Sequence, residues 1–120
     1  MNNFVTSIHE VPQKDVVDPT KPGLEGVKIQ VLTAGTDDSA TMVMRRFELA
    51  PGNGIVPLHT HPYEHQVYVI SGEGIALNEE LGDSPVTAGS VIYTDGTTPH
   101  GFKNISETEP FVFLCMIPKQ

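Results

Sequence analysis

Apolar and polar residues alternate in short runs along most of this chain. In "VKIQVLTAG" (Val27 to Gly35), Val27, Ile29 and Val31 face one way and Lys28, Gln30 and Leu32 the other, the period of two that marks a half-buried strand. "GTDDS" (Gly35 to Ser39) turns the chain into "ATMVMRRFELA" (Ala40 to Ala50), a second strand that stops at "PGNG" (Pro51 to Gly54). "HQVYVISGEG" (His65 to Gly74) is a third, leaving through a Gly-Glu-Gly turn. Further short strands follow at "IALN" (Ile75 to Asn78), "PVTAG" (Pro85 to Gly89), "SVIYT" (Ser90 to Thr94), "HGFKN" (His100 to Asn104) and "PFVFLCMI" (Pro110 to Ile117). No stretch keeps a 3.6-residue period over three turns; "LNEELG" (Leu77 to Gly82) comes nearest and is too short. Many short strands punctuated by turns predict an all-β antiparallel sandwich or barrel.

Residues 1–26 behave differently. Pro12, Pro19, Pro22, Gly23 and Gly26 break any periodicity, which predicts an N-terminal arm with at most a short edge strand, serving packing or dimer contact. Residues 27–120 then form a single barrel domain, and a chain of 120 residues buries a core without disulfide staples. In the last strand Phe111, Phe113, Cys115 and Ile117 alternate with Val112, Leu114 and Met116, so both faces are apolar. One face fills the barrel and the other needs a second sheet or subunit, which predicts a homodimer.

Composition narrows the function. The formal net charge is −8, with only 7 Lys and Arg, so a phosphate-backbone partner or an anionic membrane surface is not expected. The longest apolar run, "FVFLCMI", is far short of a membrane span, and "MNNFVTSIHE" lacks the regions of a signal peptide; a soluble, cytoplasmic protein is the expectation. Cys115 is the one cysteine and has no internal disulfide partner.

Three of the five histidines crowd into "HTHPYEH" (His59 to His65). On a strand His59 and His61 share a side, and a Pro62-Tyr63 turn can return His65 to it. Clustered imidazoles oppose one another's protonation, whereas a divalent cation uses their neutral nitrogens. A metal site is therefore the direct reading, against the blander one of a histidine-bearing surface loop. Cysteine-rich zinc spacing and the HExxH helix are both absent.

"GNGIVPLHTHPYEHQVYVISGEG" (Gly52 to Gly74) and "GSVIYTDGTTPHGFKN" (Gly89 to Asn104), together about a third of the chain, resemble the two motifs of the cupin superfamily. The resemblance implies an antiparallel double-stranded β-helix, or jelly roll, with His59 and His61 as ligands from the first motif and His100 from the second, closed by Asn104. His65 stands where that first motif usually has glutamate, and Glu64 is one place early, on the other face. The chain thus looks most like small single-domain cupins with a four-histidine site, which share an "FLCMIPK"-like ending (Phe113 to Lys119). Asn53, Asp95 and Thr97 depart from the usual motif residues.

Four neutral ligands leave the ion its full charge and, on a six-coordinate metal, two positions for a small chelating anion or for substrate beside dioxygen or peroxide. Similar four-histidine cupins imply manganese, and ligand softness adds iron(II), with nickel and zinc behind. The expected activity is an oxygenase-type reaction on a small oxygen-rich molecule. A non-redox isomerase or lyase of a sugar acid, and a non-enzymatic ligand-binding module, are the alternatives. Phe113 and Ile117, which the resemblance places inside the barrel near the metal, share a side with Cys115, a candidate neighbour of the ligands and otherwise a plain buried strand residue. Arg45 has the parity of Val43, Phe47 and Leu49; the simpler expectation is that a bulge turns it to solvent, the alternative that it reaches inward to a substrate carboxylate. Tyr63, Gln66 and Tyr68 could hydrogen-bond a bound ligand, but a place on the strand surface is the expectation for each, and His9 is expected on the surface of the arm.

Overall fold

The computed structural model describes residues 3–35 and 38–120. Thr36 and Asp37, at the centre of the expected Gly35-to-Ser39 turn, and the first two residues of the arm lie outside the described residues. The strands are β1 (Lys14–Asp15), β2 (Val27–Val31), β3 (Met42–Leu49), β4 (Ile55–His59), β5 (His65–Ser71), β6 (Glu73–Asn78), β7 (Ser84–Thr87), β8 (Val91–Thr94), β9 (His100–Asn104) and β10 (Phe111–Pro118). They form a six-stranded sheet, β1-β2-β3-β10-β5-β8, and a four-stranded sheet, β4-β9-β6-β7. Every pairing is antiparallel, giving the expected jelly roll. No helix among the described residues is long and apolar enough to cross a membrane.

The period-two pattern explains where the core sits. β3 and β10 pair along their whole length, from Phe111 opposite Leu49 to Pro118 opposite Met42, without a register shift. Directly opposed residues share a face, so Leu49, Phe47, Arg45 and Val43 join Phe111, Phe113, Cys115 and Ile117 on the inner side. Phe111, Phe113, Leu49, Val67, Val69 and Cys115 are fully buried there. Phe113 ties the two sheets together: its ring lies 4.5 Å from Phe102 on β9, 5.3 Å from Phe47 on β3 and 5.4 Å from Phe111.

Two features depart from the sequence pattern. β4 contains Pro57 and was not marked by alternation; the proline is tolerated because β4 is an edge strand of its sheet, paired there with β9 and slipped in register between Val56 and His59, with a single bridge from Ile55 to Glu25 on its other side. β2 ends at Val31, and its burial does not follow strict alternation: Gln30 is buried whereas Val31 is exposed. The arm lies over Gln30, whose amide donates to the carbonyls of Ile8 (2.7 Å) and Val11 (2.9 Å) and accepts from Arg46 (3.2 Å). Those three bonds satisfy the buried amide.

Phe111→Ala, fully buried and remote from the histidines, is expected to cost about 3–5 kcal/mol. Urea unfolding would measure it, and a loss below about 1 kcal/mol would contradict this account of the core.

Candidate metal centre

His59 ends β4 and His100 opens β9, and the two residues face each other across the strand pair. Their rings lie 4.5 Å apart. His61 sits two residues beyond β4 in the connection to β5, where its backbone N–H donates to the Gly96 carbonyl (2.9 Å) and so fastens it to the loop before His100. That loop is shaped by two of its own residues. Asp95 accepts from the backbone N–H groups of Thr97 and Thr98 (3.0 Å each), and Gly96 takes a left-handed φ of 85° against the Tyr63 carbonyl and the His61 ring, where a Cβ has no room. The departures at Asp95 and Thr97 therefore leave His100 in place. His65, at the start of β5, is buried, and its ring stacks on that of His61 at 4.1 Å.

Protons on three of these rings are fixed by backbone carbonyls. Nδ1 of His59 lies 2.8 Å from Pro57 O, that of His61 2.7 Å from Tyr63 O, and that of His100 2.9 Å from Thr98 O. A carbonyl only accepts, so each Nδ1 donates and each neutral ring keeps a bare lone pair on Nε2. The Nε2 atoms of His61 and His100 are 3.1 Å apart, two acceptors turned toward each other. Nitrogens bonded to one ion at about 2.1 Å and at right angles would stand about 3.0 Å apart. The ligand atoms of His59, His61 and His100 all lie within 4.8 Å of one another. These residues fit a divalent metal ion.

His65 lies beside this cluster rather than within it. Its Nδ1 is 3.2 Å from Cys115 Sγ, and that sulfur accepts from Arg45 Nη2 at 3.0 Å. Burial, before any other cause, holds the His65 imidazole down to about 2 and that of His59 to about 4; it also lowers His61. The neighbouring imidazoles and Arg45 push His61 and His65 the same way. Burial raises the Cys115 thiol against the pull of Arg45. All of this favours the neutral nitrogens that a metal requires.

Beside the rings is a cavity of about 150 Å³ lined by His59, His61, His65, Tyr63, Cys115 and Phe113 together with Phe47, Phe102 and Arg45. A roomier hollow of about 600 Å³ lies under the arm near Phe4, Pro12 and Leu32, but it holds no histidine, whereas His59, His61 and His65 line the smaller one. Arg45 corrects the simpler sequence expectation: β3 stays in register with both β2 and β10, no bulge intervenes, and the side chain turns into the cavity. Ile117 is buried in the core without lining the cavity. Tyr63 is also not a plain surface residue, because its ring stacks on His61 at 4.2 Å. Gln66, Tyr68 and His9 are exposed as expected. Lys21 and Leu24 of the arm reach the cavity too, which no sequence signal announced.

The family model for the cupin domain matches residues 45–117, more than half the chain. The chain belongs to the cupin family. This cupin is 36% identical over 73 residues to an oxalate-binding protein of Thermotoga maritima, a match covering 60% of this chain and 58% of that relative. The chain thus spans little more than half of the relative's length. Among solved structures it resembles the polyketide cyclase RemF of Streptomyces resistomycificus, with TM-score 0.85, 26% identity and coverage of 98% of this cupin and 80% of RemF. A cupin-2 domain protein of Rhodospirillum rubrum superposes with TM-score 0.79 and 26% identity over 100% of this chain and 76% of that one.

The depressed imidazoles set the acid response of the metal-free protein. An unfolded His59 takes up a proton near 6.5 and the folded one only near 4, so folding stability from this residue is complete above 6.5 and is lost as pH falls toward 4. The melting temperature of chelator-treated protein should drop over that window, and by less in His59→Gln. Identical profiles for the two proteins would contradict the burial argument.

Proposed function

We propose that this cupin is a metal-dependent enzyme in which His59, His61, His65 and His100 hold one divalent ion and a small oxygen-rich molecule reacts beside it. The observation that carries the reading is the set of three Nε2 lone pairs turned together by carbonyl-bound Nδ1–H groups. His65 joins as the fourth ligand if its Nδ1 donates to the Cys115 sulfur, which leaves its Nε2 for the ion. When bound, the ion supplies Lewis acidity undiminished by any anionic ligand, and redox capacity if it is manganese or iron(II) rather than nickel or zinc. The chain's own part is to exclude water with Phe47, Phe102 and Phe113 and to orient His61 by the Tyr63 stack.

Lewis-acid chemistry is the better supported form. The relatives carry names of oxygen-rich ligands, oxalate and a polyketide, and neither name invokes dioxygen. The oxygenase-type reaction expected from the sequence is the second form, favoured by an all-imidazole donor set that suits iron(II) as well as zinc. Protein purified without added metal is expected to hold a divalent ion in stoichiometric amount by elemental analysis, and His100→Ala to lose it. Reconstitution with zinc and with iron(II), followed by product analysis and oxygen uptake on diketones, hydroxy acids and sugar acids, separates the forms: activity with zinc and no oxygen uptake supports the first. Stable folded protein that retains no metal at all would overturn both.

The outer face of the six-stranded sheet supports a homodimer. Tyr68, Ile70, Val91 and Tyr93 are exposed there on β5 and β8, an apolar patch of the kind a second subunit covers. Light scattering after size exclusion should give a dimer, converted to monomer by Val91→Lys together with Tyr93→Lys. A monomeric wild type would remove the proposal.

A further inference from the structure

The cavity beside the histidines has an uncommon balance of charge. The chain carries 15 Asp and Glu residues and a net charge of −8, yet among the described residues no carboxylate lines this cavity, whereas Arg45 and Lys21 both do. Lys21, on the partly exposed side, has Asp18 at 3.7 Å. Among the described residues Arg45 has no such partner. Among the described residues no carboxylate oxygen lies within salt-bridge distance of its guanidinium, whose Nη2 donates to the Cys115 sulfur at 3.0 Å and whose Nε is buried with no acceptor.

A thiol sulfur is a weak acceptor, and a guanidinium offers five donors in one plane. Cation–π contact with Phe47, 5.0 Å from ring centroid to Cζ, steadies the group from one side but satisfies no N–H. A charge left in this condition costs stability unless something arrives to pair it. The pairing of Arg45 opposite Cys115 across β3 and β10 prevents the side chain from swinging to the outer face. Arg46, next along the strand, shows the contrast: it lies on that outer face and reaches Glu48 at 3.4 Å.

We propose that Arg45 anchors a carboxylate of the ligand, so that the cavity takes a small organic anion with one oxygen-bearing end at the metal and its carboxylate on the guanidinium. This rests on the reading of the histidines as a metal centre. The volume, about 150 Å³, equals roughly five waters and restricts the ligand to an acid of a few carbons. The planar fork of Arg45 suits a carboxylate better than a neutral carbonyl, because both oxygens can accept at once. Selectivity for acids over esters, amides and neutral diketones follows.

The test compares two probes that share a chelating end. Acetohydroxamate brings the chelating group alone; malonomonohydroxamate adds a carboxylate to it. Isothermal titration calorimetry is run on metal-loaded protein whose metal content has been checked, for the wild type, Arg45→Gln and Arg45→Lys. The added carboxylate is expected to tighten binding about 10- to 100-fold in the wild type and not at all in Arg45→Gln. Acetohydroxamate should bind both equally, with metal content unchanged. Arg45→Lys, which keeps the charge without the fork, should retain part of the gain. An equal gain in wild type and Arg45→Gln overturns the anchor and leaves the metal centre standing. Failure of the metal-loaded wild type to bind acetohydroxamate overturns the centre as a ligand site, and the anchor with it.

Discussion

Three backbone carbonyls set the geometry of the histidine cluster. By accepting from Nδ1 of His59, His61 and His100, they assign each proton to the far side of its ring and turn three lone pairs to a common region. The 3.1 Å approach of the His61 and His100 Nε2 atoms sets acceptor against acceptor, while burial resists the protonation of His61 that would relieve it. The barrel holds these groups close because its strands are fixed by long-range pairing and by an aromatic cluster under the site. The arrangement thus transfers packing energy into a preformed donor set.

The strands divide this work. β4 and β9 supply His59 and His100 as opposed residues, while the connection after β4 supplies His61 and is pinned by Gly96 and the Asp95 turn. β5 and β10 bring His65 to Cys115, and β10 with β3 brings Cys115 to Arg45. Phe113 sits at the base, touching rings from both sheets. The result is an apolar wall on one side and a polar chain, Arg45 to Cys115 to His65, on the other. A low-dielectric cavity with cationic lining inside an acidic protein draws anions locally, although the global field opposes them.

The arm contributes more than packing. Its carbonyls at Ile8 and Val11 hold Gln30 on the outer face, β1 pairs with β2, and Lys21 and Leu24 line the cavity. Residues remote in sequence from the histidine motifs therefore form part of the cavity wall.

Much of the fold was legible in local pattern, because strand alternation and turn residues are properties of neighbours in the chain. β3, β5 and β10 follow their apolar periodicity, and the histidine spacing alone brought His59, His61 and His65 under suspicion. β4 escaped because Pro57 hides an edge strand, and the burial of Gln30 depended on an arm residue some twenty positions away. The amino-acid sequence by itself determined most of the strands, the two motifs and the histidines that chemistry would use. Only the tertiary structure decided that Arg45 turns inward with no carboxylate partner among the described residues, that Tyr63 stacks on His61, and that Nδ1 of His59, His61 and His100 each meets a carbonyl. Those outcomes depend on which strands pair and in what register, and register is settled by the whole barrel closing rather than by any one segment.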